Sequence, residues 1–259
     1  MSSFSQDIVD EIADRARMRG FEPAAALAVV QVESAGRAFE SDGTTPVFLF
    51  EKHVFYRELR KVSQGQLTAA VGAGLALASW QGKAQYADQK GSAARIGLLE
   101  RARQIDEEVA NRSASWGLGQ IMGFHALRLG YASATEMVSQ MSAGGVPAQA
   151  ETMLRFIAAD AGLAQALQSR DWAGFALRYN GKQYAVNSYD TKLASAYGAW
   201  AARFGGMDGA PRRTGTSISR SLPEIREIQQ NLARLGYPVG TIDGLFGPIT
   251  SAAIFAFQR

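Results

Sequence analysis

The sequence predicts a mainly α-helical fold with one small β-hairpin, followed by a small helical module at the C-terminus. Apolar residues recur at helical spacing through most of the chain. The run Val47 to Phe50 is short, apolar and partly β-branched, and it follows the turn signal Asp42-Gly43. Residues 205–221 are rich in Gly, Ser, Thr, Pro and Arg and have no apolar stripe. These features divide the chain into a domain over 1–204, a linker over 205–221 and a module over 222–259.

Composition excludes several classes of function. The 259 residues carry a formal net charge of +3, and their basic residues are dispersed, which argues against a nucleic-acid groove. The absence of cysteine excludes a disulfide framework, a thiolate nucleophile and a Cys-ligated zinc. His53 and His125 lie far apart without a zinc-binding spacing. No metal or cofactor is therefore expected.

The N-terminal residues 1–20 carry acids and lack the apolar run of a signal peptide. No later segment approaches the length of a membrane span. We therefore expect a protein made in the cytoplasm that another agent must carry to any target beyond the inner membrane.

The first two predicted helices pack on each other. Residues 4–19 form an amphipathic helix with Ile8, Ile12 and Ala16 on one stripe. Residues 24–36 follow Pro23 and are apolar on nearly every face, so this helix should be buried, with Gly36 as its left-handed C-cap. One later helix is predicted to end at Leu59. Residues 61–92 then show no readable order. Further helices are predicted over about 95–111, 133–140, 148–160, 163–168, 172–179, the region around Tyr197, 223–235 and 249–257.

Glu33 lies at the end of the apolar helix. A carboxyl group with an apolar helix behind it and a chain break in front is desolvated, and desolvation raises a carboxyl pKa. Such a group stays protonated and is a candidate general acid. The alternative for these residues alone is a solvated charge at a helix end.

Two further carboxylates are candidates for a second catalytic group. Glu51 directly follows the apolar run 47–50, at an edge where it would face the same cleft. The equal alternative is a structural partner for Lys52, His53, Arg57 or an exposed helix N-terminus. Asp42, in the predicted turn, is the second candidate.

The remaining candidates are polar and aromatic. The spacing of three glycines, Gly117, Gly119 and Gly123, is wrong for a dinucleotide-binding loop, and no strand is predicted before them. These glycines more plausibly let the backbone pass close to a ligand or to a neighbouring helix. Gln120 would supply an amide donor and acceptor there. Clustered Tyr and Asn give flat apolar faces with polar tips, which suit carbohydrate as well as ordinary packing. The members taken as substrate-binding candidates are Tyr179, Asn180, Tyr189 and Tyr197.

Three stretches then carry a family resemblance. VESAG, GLGQIMG and the stretch from YNG onward are similar, in that order, to elements of goose-type lysozymes and soluble lytic transglycosylases. PVFLFEKHVFYREL, SASWGLGQIMGFH and FALRYNGKQYAVNSYDTKLASAY more closely resemble the N-acetylmuramidase domain of endolysins from phages of Gram-negative hosts, over about residues 5–204. Gly119 departs from the family, which often has a bulky residue there. The resemblance implies a lysozyme-like helical domain.

The tail resembles the first half of the small helical peptidoglycan-binding module. The likeness rests on LGY, the loop DGLFGPIT and the final AFQ. That family continues with a third helix and a second D-G loop, so the tail is expected to be an incomplete module.

The resemblance implies a peptidoglycan hydrolase that cleaves the β-1,4 bond between N-acetylmuramic acid and N-acetylglucosamine, with Glu33 as general acid. A lytic transglycosylase, which forms 1,6-anhydro-muramic ends, is the alternative. A catalytically inactive wall-binding protein is a third hypothesis. The expected partner is the glycan strand, acted on by a monomer in the periplasm after release by a holin or delivery as an effector.

Overall fold

The computed structural model describes residues 4–205, 222–240, 242, 250, 253 and 257. The chain divides into two compact units, Met1–Phe204 and Gly205–Arg259. The first is mainly helical with a small three-stranded sheet, which confirms the predicted fold class. No described helix is long and apolar enough to cross a membrane.

The elements follow one another in the order of the chain. The strands are β1 (Phe48–Phe50), β2 (Ala114–Trp116) and β3 (Ile121–Met122). Short 3₁₀ helices cover Gly82–Gln89, Gly123–His125, Leu127–Leu129 and Tyr184–Asn187. The α-helices are α1 (Gln6–Met18), α2 (Pro23–Ser34), α3 (Lys52–Leu59), α4 (Gln64–Gly72), α5 (Ser92–Ile105), α6 (Glu107–Arg112), α7 (Ala134–Ala158), α8 (Ala161–Ser169), α9 (Trp172–Tyr179), α10 (Tyr189–Gly205) and α11 (Leu222–Arg234).

Helix α2 lies in the core of the first unit because it has no polar face until its last turns. Its residues from Ala24 to Val30 are all buried. Helix α1, capped by the Ser5 hydroxyl, packs against α2 through an apolar stripe that includes Ile12 and Ala16. The predicted pairing of these helices is confirmed.

The end of α2 differs in detail from the prediction. Ala35, and not only Gly36, takes a left-handed conformation, with φ of 53°. Gly36 follows with φ of 77°, and a Cβ atom there would overlap the Phe4 ring. Both residues together turn the chain away directly after Glu33.

The sheet has the order β1-β2-β3 with antiparallel pairing throughout. Strand β1 confirms the small strand predicted within Val47 to Phe50, and it pairs with the distant β2, with Phe48 opposite Trp116. The turn at Asp42-Gly43 closes only a single antiparallel bridge, between Phe39 and Pro46. The hairpin is formed by β2 and β3 instead. Because β2 ends at Trp116, a strand does precede Gly117, contrary to the prediction.

Two glycines of the β2–β3 region allow close packing, as predicted. A Cβ atom at Gly119 would lie 2.5 Å from Met153 Cγ of α7. At Gly123 it would lie 2.0 Å from the Asn111 carbonyl oxygen. The sheet can therefore approach α6 and α7 more closely than any larger residue would permit.

Other boundaries follow from local chemistry. The single helix predicted over 95–111 is broken at Asp106, whose side chain accepts the Val109 N–H and caps α6. Helix α7 changes direction at Gly145, with φ of 62°, between the two predicted segments. Residues 61–92, unreadable in sequence, contain α4 and the 3₁₀ helix Gly82–Gln89.

The second unit is built on α11. Leu232 packs with Val239 and Ala253, and Ile228 and Tyr237 border this cluster. Leu235, predicted on the same face, is exposed. Except for Gly205, which ends α10, the predicted linker lies outside the described residues, as does most of the helix predicted over 249–257.

The close approach at Gly123 predicts that Gly123→Ala destabilises the first unit by about 2 kcal/mol or more, because the new methyl group meets backbone that cannot move aside. Gly97→Ala is the matched control, since Gly97 lies inside α5 with open space around it. There the alanine should stabilise by up to about 1 kcal/mol. Denaturant unfolding of both variants measures the difference, and equal effects would contradict the packing described.

Candidate active site

Glu33 in the last turn of α2 and Asn180 at the end of α9 form the centre of the site. The Asn180 side-chain amide donates to Glu33 Oε1 over 2.7 Å. Asn180 is itself held as the C-cap of α9, where its backbone N–H donates to the Ala176 carbonyl over 2.9 Å. A buried helix thus presents the acid, and a helix end presents its hydrogen-bond donor.

Burial raises the pKa of Glu33 to about 7, and the Asn180 hydrogen bond lowers it by a smaller amount. The residue keeps part of its surface, yet its carboxyl group is surrounded by protein. Among the described residues, no cation pairs with Glu33. The carboxyl group is therefore close to half protonated at neutral pH.

Tyr179 lies beside Glu33, whose charge adds to burial in raising the tyrosine pKa. The Tyr179 hydroxyl donates to the Gly119 carbonyl over 2.6 Å, and its ring stacks on Phe175. This side chain therefore ties the β2–β3 turn to α9. Tyr189, half-buried at the start of α10, also has a pKa raised by burial and by the Glu33 charge, so its ring lies near the acid.

Gln120 serves the turn itself. Its amide nitrogen donates to Gly117 O over 2.9 Å and to Val47 O over 3.3 Å. Its amide oxygen accepts from the Ser115 hydroxyl over 3.0 Å. Gln120 was predicted to offer a ligand both a donor and an acceptor, but both amide hydrogens are already used within the fold.

Tyr197 lies away from Glu33, which corrects its grouping with the other candidates. Its hydroxyl donates to Glu22 Oε1 over 3.0 Å, and Arg170 covers its ring. Glu22 precedes the first turn of α2, about 16 Å along the helix axis from Glu33. Within α10, Tyr189 in the first turn is near enough to Glu33 for the carboxylate charge to raise its pKa.

Glu51 belongs to a different polar cluster. Tyr86 donates its hydroxyl to the Glu51 carboxylate over 2.9 Å, and Gln85 Nε2 donates to it over 3.3 Å. Burial raises the pKa of Glu51. Of its predicted structural partners, His53 is close, with Nδ1 3.4 Å from Oε2. Glu51 is also the N-cap residue of α3, although its side chain accepts no hydrogen bond from the backbone of that helix.

The strand geometry places this cluster at the far end of β1 from the β2–β3 turn. The backbone N–H of Glu51 donates to the Ser113 carbonyl oxygen. Glu51 directly follows β1, whereas Val47 directly precedes it, so the two residues lie at different ends of the strand. Val47 is the residue that contacts the β2–β3 turn, and about 13 Å of extended chain separates it from Glu51. Among the described residues, no hydrogen bond or ion pair joins Glu51 to Glu33.

Asp42 forms a local turn. Its carboxylate accepts from the backbone N–H groups of Thr44 and Thr45 over 3.0 and 2.9 Å and from the Thr45 hydroxyl over 2.6 Å. These hydrogen bonds lower the pKa of this exposed carboxyl group. Asp42 is thus stabilised as a carboxylate by its own turn.

Comparison with known proteins assigns the chain to a family. The family model described as N-acetylmuramidase matches residues 22–201, which include Glu33, Glu51 and Asn180. This chain belongs to the N-acetylmuramidase family. It is a glycoside hydrolase of the muramidase class, and its substrate is peptidoglycan.

Two further comparisons extend this result. A family model described as putative peptidoglycan binding domain matches residues 221–259 of the muramidase. The crystal structure of the Burkholderia AP3 phage endolysin is similar, with a TM-score of 0.65 and 37% identity over 76% of this chain and 71% of that one. No protein with curated annotation matches this chain.

The sequence did not reveal some of the muramidase's polar contacts. Gln85 and Tyr86, which hold Glu51, lie in the 61–92 segment whose irregular helices have no apolar period to read. Trp80 and Tyr86 were nonetheless noticeable there as aromatic residues in polar surroundings, a pattern that suits sugar stacking and equally suits packing under a loop. Within the described residues, no group of three or more His, Asp and Glu side chains could hold a metal ion.

The pKa of Glu33 predicts how Glu33→Gln changes stability with pH. The folded carboxyl group, with a pKa of about 7 against 4.5 for the free group, keeps its proton where the unfolded chain loses it. Stability from this group is therefore complete below pH 4.5 and is lost as pH rises through 7. Relative to wild type, Glu33→Gln should gain up to about 3 kcal/mol at pH 8.

Thermal unfolding of both proteins at pH 4.5 and pH 8 tests this expectation. The variant's advantage should appear only at the higher pH. If Glu33→Gln were instead less stable than wild type by the same amount at both pH values, favourable contacts would be stabilising the ionised Glu33, and the expectation would be wrong.

Proposed function

We propose that the muramidase cleaves the β-1,4 bond between N-acetylmuramic acid and N-acetylglucosamine with Glu33 as general acid. The observation that supports this most is the environment of Glu33. Its carboxyl group lies at the end of a buried apolar helix, has a pKa of about 7 and accepts one hydrogen bond from an uncharged donor, the Asn180 amide. A glycosidase acid must carry a proton at working pH and release it to the leaving oxygen.

In the proposed reaction, the bond between muramic C1 and the linking oxygen breaks as Glu33 gives its proton to that oxygen. Positive charge builds at C1, and a water oxygen then bonds to C1 and loses one proton to solvent, from which Glu33 is reprotonated before the next turnover. The ionised Glu33 left behind is stabilised by the Asn180 amide, which donates to Oε1. Asn180 is therefore proposed as a positioning residue for both protonation states.

Asn180 has an acceptor to offer the substrate as well. Its Oδ1 atom is buried and has no hydrogen-bond partner among the described residues. An acetamido N–H of the substrate would satisfy this oxygen, as buried polar atoms require. Tyr189 is proposed to supply a flat ring beside the same sugar.

The second catalytic group separates two candidate reactions. Within the described residues, no other carboxylate contributes to the raised pKa of Glu33. A lytic transglycosylase, in which the muramic 6-hydroxyl attacks C1, needs less from a second carboxylate and is the second candidate. For the hydrolase, Glu51 is the first candidate partner and Asp42 the second.

Replacing the acid tests the proposal. Glu33→Gln should lower turnover of purified Gram-negative peptidoglycan to below a few per cent of wild type, because the amide has no proton to give. Glu22→Gln, at the other end of α2, is the matched control and should keep its activity. Higher residual turnover in a correctly folded Glu33→Gln protein would refute the assignment.

Mass spectrometry of the fragments released by the wild type identifies the reaction. Reducing muramic ends with the mass of an added water are expected. Anhydro-muramic ends, lighter by one water, would make the enzyme a lytic transglycosylase.

The pH dependence supplies a further prediction. Activity requires protonated Glu33, so kcat/KM should fall as pH rises through about 7. Asn180→Ala removes the hydrogen bond that lowers this pKa, so the alkaline limb should move to higher pH. Tyr197→Phe is the control, and its limb should not move. A limb near pH 4.5 in the wild type would contradict the protonation state assigned to Glu33.

We further propose a biological role in cell lysis. The C-terminal unit matches a peptidoglycan-binding family and would hold the enzyme on its polymeric substrate. The similar Burkholderia AP3 phage protein is an endolysin, which supports the same role for this chain. The enzyme would then act as a monomer on periplasmic peptidoglycan.

A further inference from the structure

The turn that follows Glu33 carries an exposed arginine. Arg37 comes directly after the left-handed pair Ala35 and Gly36, and its backbone N–H donates to the Ser34 carbonyl over 3.1 Å. This hydrogen bond keeps Arg37 at the end of α2 that presents the acid. Its side chain forms no ion pair or hydrogen bond in the part of the chain that the structure describes.

Two lysines lie beside the residues that surround the acid. Lys182 follows Asn180, the hydrogen-bond donor to Glu33, by two residues, so their Cα atoms lie within about 7 Å of each other. Lys192 lies one turn beyond Tyr189 in α10, with Nζ 5.8 Å from the centre of that ring. Both lysines are exposed, and neither forms an ion pair or a side-chain hydrogen bond with any described residue.

The segment between these lysines is open to solvent. Residues 181–188 begin directly after Asn180 and end directly before Tyr189, so both ends of the segment adjoin the site. Tyr184 packs against the core, whereas the other side chains of the segment are exposed, and Val186 leaves 80% of its surface free. No side chain of the segment forms a hydrogen bond with another described residue. The segment is therefore free to face a ligand.

Other cations near the same helices have acidic partners. Arg170 pairs with Glu22 over 3.1 Å at the opposite end of α2, and Arg178 of α9 lies 3.6 Å from Asp160. Asp190, the acid nearest to the two lysines in sequence, forms no ion pair with a described cation. The end of α2 that presents the acid is thus surrounded by positive charges that the fold leaves unpaired, and such charges attract an anionic ligand.

The three rim cations, Arg37, Lys182 and Lys192, do not serve the acid itself. Burial and the Asn180 hydrogen bond set the Glu33 pKa of about 7, and no described cation contributes to it. A cation in contact with the carboxylate would lower that pKa. The rim cations are therefore available to an anion that the substrate brings.

The substrate offers such anions close to the reacting bond. The muramic acid unit whose C1 would react at Glu33 carries a lactyl group on the same ring. In intact strands the lactyl carboxyl group is amide-linked to a stem peptide that has carboxylates of its own. Without the peptide, the lactyl carboxylate is free. Both forms of the strand thus carry negative charge beside the sugar that occupies the site.

We propose that Arg37, Lys182 and Lys192 bind a carboxylate on the lactyl arm of the muramic acid unit, either the lactyl carboxylate or one of the attached stem peptide. The rim cations then determine which form of the glycan strand the enzyme binds well, and they touch no reacting atom. Exposed charge pairs of this kind are individually weak and act together. This inference rests on the proposed function, since it places the muramic acid unit beside Glu33.

Kinetics of the full chain on three forms of soluble glycan strand test the proposal. The first form has intact stem peptides, the second has been treated with an amidase that leaves the lactyl carboxylate, and the third has intact peptides whose carboxylates are amidated. Replacing all three rim cations by Gln should raise KM about tenfold for a form that carries the bound carboxylate, and each single replacement should raise it about two- to threefold. The value of kcat should stay within about twofold of wild type, because no reacting atom is touched.

The form of strand that shows the rise identifies the carboxylate. A rise with intact peptides alone assigns the stem peptide, a rise with amidase-treated strands alone assigns the lactyl group, and a rise with both shows that either carboxylate is bound. With the amidated strands, the triple variant and the wild type should have the same KM. Added salt should raise the wild-type KM towards that of the triple variant, since salt screens exposed charges.

Charge and position have separate controls. Lys182→Arg and Lys192→Arg keep the charge and should keep KM within about twofold of wild type. Arg60→Gln removes a cation that is also exposed and without an ion pair among the described residues, but it lies at the C-cap of α3, and its KM should not change. Thermal unfolding verifies that the triple variant folds. The C-terminal unit is the same in all of these proteins, so binding by that unit does not alter the comparison.

Two results would overturn the proposal. One is an unchanged KM of the triple variant with both carboxylate-bearing forms of the strand. The other is an equal rise with the amidated strands, which would mean that these residues bind uncharged groups. Failure of the proposed function is seen separately, as residual turnover in Glu33→Gln, because the comparison of KM values does not depend on which residue is the acid.

Discussion

The burial of α2 is the constraint on which the site depends. A helix that is apolar on every face has to lie inside the fold, and its last turn then carries Glu33 into surroundings of protein. The carboxyl group cannot keep the hydration that would stabilise its charge, so its pKa rises to about 7. The same packing that stabilises the unit thus sets the protonation of its candidate acid.

The rest of the first unit fixes what stands opposite that acid. The Tyr179 hydroxyl donates a hydrogen bond to the β2–β3 turn, and the side-chain amide of the next residue, Asn180, donates one to Glu33. Gln120 holds the same turn to Val47 through its amide. Gly119 permits this arrangement because any side chain there would meet Met153 and the Tyr179 hydroxyl. A small rigid sheet therefore positions the residue that hydrogen-bonds the acid.

Patterns with a strong period were readable from sequence. The buried α2, the amphipathic α1 and the position of Glu33 at a helix end follow from apolar spacing and a chain break. The pairing of β1 with β2 was not readable, since it joins segments far apart in the chain. Nor was the break at Asp106, where a capping side chain competes with an otherwise continuous helical pattern.

Candidate site residues show the same division. Residue type and motif order pointed to Glu33 and Asn180, which the fold brings together. Composition also grouped Tyr197 with Tyr189, although two turns of α10 carry Tyr197 to the other end of α2. Clustering in sequence does not fix which face of a helix a side chain occupies. The partners of Glu51 lie in an irregular segment, where only tertiary contacts show which side chains meet.

The central claim is that a desolvated Glu33 holds its proton near neutral pH. Carbon-13 NMR titration of the side-chain carboxyl groups, with Glu33 assigned by its absence in Glu33→Gln, measures this directly. We predict a transition with a pKa of about 7. A transition at the ordinary value of 4.5 would show that the carboxyl group is solvated, and would contradict the account of how this fold prepares its acid.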